Sequence, residues 1–547
     1  MRVLTSEEVQ QAEQQALARP GMSGLVLLQR GGHAVAQFCA GHFKFRTVCA
    51  VCGHGKNGAY GLAAAEALRQ LAENVSVIVL SSSAEGLDPD TAAFCAQQSQ
   101  EPIWAGSSES FEDAQIQEAL QADLIIDAIT DSKPPLTPLQ LKAIEAINDA
   151  FGTIVSVDVP SGVDADSIRP FHQSEQDAVF AHGIITFVAP RQAHVFGELT
   201  SGPIAVSEIG VQPALVSNAT QLQVISGQEM GMAFPQRLPD AHKGAFGHVL
   251  VIAGSAGKAG AAALAGMAAL RTGAGLVTVA CPQSIQDTVA GFAPEMMTEA
   301  LPETEARSIA AGAGEMANKL MTGKNAVVLG PGLSQHPETA EFIRALVQRC
   351  SLPLVLDADG INAFTGRASE LKKTVGERFR VLTPHPGEAA RLLGVSIKEI
   401  QADRVKMARH IATETGSCAV LKGWRSVVAG ASGETWINMS GNAAMAKGGS
   451  GDVLCGIIAA ALARQAATAE PTHPADNTAW QVHERGVAFL KDARVAAAVH
   501  LHGMAGDTAR DELHENTVIA RDVMNNLAAS FHECEVQMER GLFYLQR

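Results

Sequence analysis

Along almost the whole chain, short apolar runs alternate with Ala-rich amphipathic stretches, and this alternation limits the possible folds more than any other feature. The runs fall at residues 47–52, 75–80, 124–127, 153–159 and 183–188 in the first half. In the second half they fall at 249–253, 276–280, 326–329, 354–357, 381–383 and 419–422. Continuous apolar runs with helical stretches between them predict parallel strands covered on both faces, built from βαβ units. Pro213, Pro235 and Pro239 punctuate a segment with little sustained period, which predicts a boundary there. The expected organisation is two α/β domains, residues 1–215 and 235–547, with no internal repeat.

Composition narrows the function classes. Of 547 residues, 47% are hydrophobic and 18% charged, so a disordered chain is excluded. The net charge of −16 argues against a nucleic-acid partner, which needs positive surface. Nine cysteines, an odd number at low density, point to a reducing compartment. Cys49 and Cys52 form a C-x-x-C, but on an apolar run and with no second pair for zinc, so a buried strand is the favoured reading. The start at Met1 turns acidic at once and no apolar run reaches membrane-spanning length. A soluble, cytoplasmic chain without a membrane partner is expected.

The clearest chemistry lies in the second half. Gly448-Gly449-Ser450-Gly451-Asp452 precedes an apolar helical run. A Gly-rich turn opening a helix offers free amides to an anion, reinforced by the helix dipole. An Asp beside that anion can manage the proton of a hydroxyl reacting at phosphorus. The alternative is an ordinary turn. Against it, Gly330–Ser334, Asp357-Ala358-Asp359, Thr383–Glu388 and Leu421-Lys422-Gly423 all follow predicted strands. Polar or Gly-rich strand ends gathered on one carboxyl edge mark the ligand side of an α/β sheet.

These motifs resemble the NAD(P)H-hydrate dehydratase family, which has a ribokinase-like fold. The match is carried by residues 241–254, Gly260-Ala261, 269–277, Gly330–Ser334, Thr383–Glu388, Asn442 and Gly448–Asp452, in order. The resemblance implies Asp452 as the catalytic acid–base residue. It implies Ala261, Gly332 and His385 lining the hydrated nucleotide, and Lys422, Gly423, Trp424, Arg425, Ser426 and Gly451 holding ADP or ATP, with Mg²⁺ accompanying the nucleotide. Phosphorylating the C6 hydroxyl of the hydrate makes it a leaving group that the ring nitrogen can expel. Lys447 departs from the family pattern, and a phosphate contact and a solvated ammonium are equally open for it. The stretch 464–494 also departs and is read as a surface loop with an exposed helix. His500 and His502 are read as packing or capping residues.

In the first half, residues 51–61 place a Gly-rich turn between a strand and a helix, a candidate phosphate cradle. Asp127-Ala128 and Val155–Gly162 end further strands. Together with residues 4–32 they resemble the NAD(P)H-hydrate epimerase domain, a Rossmann-like domain that commonly precedes the dehydratase. The resemblance implies K⁺ coordination by Asn57, Asp127 and Ser161, and substrate binding by Asn57, Gly58 and Asp158, with Asp158 moving the hydroxyl proton. The family's Asn-Asn-Gly-Gly-Asp-Gly reads Lys56-Asn57-Gly58-Ala59-Tyr60-Gly61, and its Gly-Thr-Gly reads Asp131-Ser132-Lys133. Tyr60 could fill the substrate pocket. One reading is a weakened epimerase surviving as scaffold. The other is a K⁺-independent epimerase in which the Lys56 ammonium replaces the cation.

The expected function is bifunctional repair of the small-molecule substrate NAD(P)HX, an isomerase joined to a lyase. Two alternatives stand beside it: a ribokinase-fold kinase of a small alcohol, such as a vitamin precursor, and a non-catalytic nucleotide-binding protein. The choice between ADP and ATP stays open. So does a homo-oligomer, since Ala-rich helices suit subunit packing as well as core packing.

Overall fold

The computed structural model describes residues 1–131, 135–168, 177–211, 221–225, 227–235, 237, 239–372, 379–467, 487–536 and 543–546. It divides into two compact units, Met1–Leu222 with Gln537–Arg547, and Gln223–Val536.

The first unit is built on seven strands in chain order: β1 (Thr47–Cys52), β2 (Asn74–Val79), β3 (Ile103–Trp104), β4 (Leu124–Ala128), β5 (Thr153–Val157), β6 (Gly183–Phe187) and β7 (Ile204–Ser207). They run in the order β7-β6-β5-β4-β1-β2-β3, all pairs parallel. β4 and β6 are buried along their whole length, as strands covered on both faces must be. Cys49 and Cys52 are buried on β1, as the apolar run predicts. The strand Phe543–Gln546 pairs antiparallel with β7. The chain's last strand therefore completes the first sheet, which corrects the expectation that the second domain runs to residue 547. Thr5 caps the opening helix Ser6–Leu17 through a capping box with Glu8.

The second sheet holds β8 (Leu222–Val224), β9 (His248–Ile252), β10 (Leu276–Pro282), β11 (Met297–Leu301), β12 (Ala326–Leu329), β13 (Leu354–Leu356), β14 (Arg380–Leu382), β15 (Cys418–Leu421), β16 (Val427–Ala429) and β17 (Thr435–Ile437). Their order is β11-β10-β9-β12-β13-β14-β15-β16-β17-β8. β8 lies inside the segment expected to be linker, so the second sheet begins earlier than the prolines suggest. From β11 to β15 the pairs are parallel, and the carboxyl ends of β9, β12, β13, β14 and β15 share one edge. The chain leaves β9 toward β10 on one side and returns to β12 on the other. That reversal opens a crevice at the carboxyl edge.

Two Ala-rich helices, Ala259–Thr272 and Ser450–Ala467, cross closely over this sheet. A Cβ on Gly456 would collide with the Ala265 carbonyl and come 2.8 Å from the Ala268 Cβ. The missing side chain at Gly456 permits this approach, which fixes the start of the second helix at the sheet edge. Glu470–Pro474 and most of the departing stretch lie outside the described residues. The described part beyond it, in the helix Val487–Leu513, is not exposed: Asp492 and Ala493 are buried. Burial pushes the Asp492 carboxyl up to about 6, and the Cys418 thiol hydrogen-bonds it.

Candidate functional site

At the carboxyl edge of the second sheet, buried Asp357 follows β13. Its Oδ1 accepts hydrogen bonds from Lys422 Nζ at 2.7 Å and from Thr383 Oγ1 at 2.7 Å. Lys422 follows β15 and also reaches Glu388 Oε2 at 4.0 Å. Burial alone would raise the Asp357 carboxyl, but the Lys422 charge and the hydrogen bonds from Lys422 and Thr383 hold it below its ordinary value. Lys422 is held above its ordinary value by Asp357 and Glu388 despite burial. Asp452, in the first turn of Ser450–Ala467, behaves oppositely. Burial and the nearby Asp357 charge push it up to about 7, with Lys422 pulling the other way. A carboxyl titrating near neutrality beside a half-buried ammonium is suited to general acid–base work.

The glycines make this arrangement possible. Gly449 has φ +94°, where a side chain would strain the turn. A Cβ on Gly451 would sit 3.2 Å from Lys422 Nζ, so the ammonium lies against the helix start. Helix amides and a lysine together form an anion cradle. Gly332 has φ +62°, and a Cβ there would meet the Cβ of Ala261 at 3.1 Å. The structure thus brings Gly332 and Ala261 together. Ser255 fixes this turn by donating to the Gly332 carbonyl at 2.7 Å. His385 caps the helix Pro386–Leu393, with half its side chain exposed and Nε2 at 3.4 Å from Glu388 Oε1.

Residues 422–426 form the turn from β15 to β16. The Ser426 hydroxyl donates to the Gly423 carbonyl at 2.9 Å and accepts from its amide at 3.2 Å. Arg425 donates to the Met439 carbonyl and lies over the Trp424 ring, which is 48% exposed. Among these five, Lys422 is the side chain turned to the Asp357 carboxylate. Lys447 donates to the Asn516 carbonyl at 2.6 Å, so its ammonium ties the turn down. Asn442 bonds the Gly506 carbonyl and Asp507 Oδ1. His500 and His502 serve packing: burial lowers both to about 4, and His502 Nε2 lies 3.4 Å from Ser450 Oγ.

In the first unit, Asp127 accepts from Ser156 Oγ, Ser161 N and Ser161 Oγ at 2.6–2.9 Å. Asn57 Nδ2 donates to the carbonyls of Thr130 and Val157, and Ser161 Oγ accepts from the Thr130 amide. Thr130 thereby joins Asn57, Asp127 and Ser161 in one cluster. Gly58 packs so tightly on the Gly53 carbonyl that it admits no side chain. Asp158 has φ +65°, a strained position for a residue with a side chain. It accepts from Thr186 Oγ1 at 2.6 Å and pairs with Arg191 Nη2 at 3.0 Å. Burial would raise its carboxyl, but Arg191 holds it below its ordinary value.

The Lys56 ammonium has its partner outside this cluster. It pairs with Glu13 and lies 5.8 Å from the Tyr60 ring centroid, so the ammonium-for-potassium reading has no geometric support. Tyr60 is buried against Phe187, at 4.3 Å between ring centroids. The sequence pattern did not single out Arg191, Thr186 or the Asp357–Lys422 pair. Asp357 was visible as a strand end, but its partner lies 65 residues away.

The second unit is therefore a mostly parallel α/β fold whose switch-point edge carries an anion cradle, a half-buried ammonium and a near-neutral carboxyl. That is the equipment of an enzyme handling phosphate esters. Residues 249–527 match the family model for NAD(P)H-hydrate dehydratase, and residues 24–193 match that of the YjeF-related protein N-terminus. The chain is 34% identical to the bifunctional NAD(P)H-hydrate repair enzyme Nnr of Moorella thermoacetica, over 98% of each chain. It is 32% identical to that of Thermofilum pendens, over 99% of this chain and 98% of the other. A solved ADP/ATP-dependent NAD(P)H-hydrate dehydratase from Bacillus subtilis, co-crystallised with ATP/Mg²⁺, is 28% identical. It covers 57% of this chain and 99% of that one, with a TM-score of 0.44. The chain belongs to the bifunctional NAD(P)H-hydrate repair enzyme family. Membership favours this reading over the small-alcohol kinase and the non-catalytic nucleotide binder. No helix among the described residues is long and apolar enough to cross a membrane.

Proposed function

We propose that this chain repairs hydrated NADH and NADPH, with nucleotide-dependent dehydration in the second unit and epimerisation of the hydrate in the first. The observation that carries the dehydratase reading is Asp452, raised to about 7 at a helix start beside Lys422. Asp452 takes the proton of the C6 hydroxyl as that oxygen attacks the terminal phosphorus of ADP or ATP. Lys422 and the amides around Gly451 stabilise the charge that develops on the transferring phosphoryl group. The ring nitrogen lone pair then expels phosphate, and loss of a C5 proton restores the dihydropyridine. Ala261, Gly332 and His385 line the hydrate, and residues 422–426 hold the nucleotide. Mg²⁺ would enter with the nucleotide and offset the charge of its phosphates. Asp357 is already taken by Lys422 and Thr383, and a Mg²⁺ ion retaining waters is bound largely by the nucleotide itself.

In the first unit, Asp158 faces the substrate. K⁺ would lie at the cluster of Asn57, Asp127 and Ser161, with the Asn57 amide turned to present Oδ1 in place of the Nδ2 that donates to the Thr130 and Val157 carbonyls. The proposed location of the enzyme is the cytoplasm.

Product analysis tests the reading. Incubation of S-hydrate with ADP or ATP should release orthophosphate and NADH in equal amounts. A stable phosphorylated product would establish a kinase instead.

A further inference from the structure

The N-terminal phosphate turn already holds an anion. The helix Lys56–Leu68 begins at Gly55 without a cap from its own flanking side chain. Instead Asp131, three residues beyond β4, places Oδ2 3.1 Å from the Lys56 amide and Oδ1 2.6 Å from the Asn57 amide. The carboxylate lies so close to Gly55 that a Cβ there would collide with it. These are the first amides of a thirteen-residue helix behind a Gly-rich turn, the donors an incoming phosphate would use. In the family pattern that this segment resembles, glycine stands at the place of Asp131, and a glycine has no charge to put on these amides.

The surroundings offer the phosphate little compensation. The Lys56 ammonium is paired with Glu13. Behind the turn, the buried Tyr60 ring occupies the space against Phe187. The Tyr60 hydroxyl and Arg191 Nη1 are both buried without a hydrogen-bond partner among the described residues. Leaving such groups unsatisfied is costly, and a polar ligand entering there would recover that cost. The site is therefore shut by a carboxylate and yet retains groups suited to a polar ligand. Asp131 itself is exposed, so its carboxylate can swing into solvent.

We propose that Asp131 is an internal anion that keeps the N-terminal phosphate turn closed, so that a dinucleotide substrate must displace its carboxylate to reach the Lys56 and Asn57 amides. The proposal rests on the epimerase reading of the first unit. Asp131→Asn is the decisive variant, because asparagine caps helix amides as well as aspartate does but carries no charge. The assay follows conversion of purified S-hydrate to the R form by the full chain without ADP or ATP, with the spontaneous rate subtracted. Dehydration of the S form, with nucleotide supplied, is measured in parallel. The expected result is a KM for epimerisation at least fivefold lower in Asp131→Asn, with dehydration unchanged. Asp131→Gly should lower KM in the same direction. Epimerisation by the native chain at a KM that Asp131→Asn leaves unaltered or raises would overturn the proposal while the epimerase reading stands. No epimerisation by either protein, with normal dehydration, would overturn both.

Discussion

Lys422 Nζ and Asp357 Oδ1, on neighbouring turns at the carboxyl edge of the second sheet, form a 2.7 Å ion pair at the base of the anion cradle. The pair sets the charge state of the site. It keeps Asp357 ionised, and that negative charge together with burial lifts Asp452 into the neutral range.

Breaking the pair from one side should be costly. Lys422→Met leaves the buried Asp357 without its counter-ion, with the Thr383 hydroxyl as a remaining donor, and a loss of about 3–5 kcal/mol is expected. Adding Asp357→Leu should recover most of that stability without restoring activity. Denaturant unfolding of the single and double variants checks this; equal instability in the two would show that the pair is not the cause.

Asp452→Asn should lower the dehydration rate by about 10²–10⁴-fold while nucleotide binding survives. The folded carboxyl titrates near 7, well above its unfolded value. Its contribution to stability is thus fully present below about pH 4 and lost as pH rises through 7. The variant should therefore unfold at a higher temperature than the native chain at pH 8, by a few degrees at most, and lose that advantage at pH 4. Thermal scans at the two pH values decide it.

The kcat/KM of dehydration should fall as pH drops through about 7, because Asp452 acts in its ionised form. His500 and His502 titrate near 4 and should leave no inflection above pH 5. A profile flat from pH 5.5 to 8 would assign proton transfer elsewhere.

Gly456→Leu should destabilise the second unit by about 1–3 kcal/mol or more, since its side chain would be forced into the Ala265 carbonyl, the Ala268 Cβ and the Ala269 amide. Calorimetry should show the loss.

The interior of both sheets was legible because strands covered on both faces read as unbroken apolar runs. β12, for instance, is buried throughout. Edge strands were not legible. β11 alternates exposed and half-buried residues, and β3 has only two residues. The terminal strand beside β7 was missed because its partner lies more than 300 residues away. Within the sites, glycine turns and single acids stood out, since their chemistry is local. Which cation faces which carboxylate did not. Arg191 on Asp158, Lys422 on Asp357 and Asp131 on the Lys56 amide are all set by the crossing of distant strands.

The most direct test of the dehydratase is the return of NADH absorbance from a purified R/S mixture of hydrated NADH supplied with ADP or ATP. Nucleotide-dependent recovery of the S fraction at once, with the R fraction following more slowly but faster than spontaneous epimerisation, is the predicted result. No recovery with either nucleotide would contradict the assignment of Asp452, Lys422 and the glycine turn to hydrate repair.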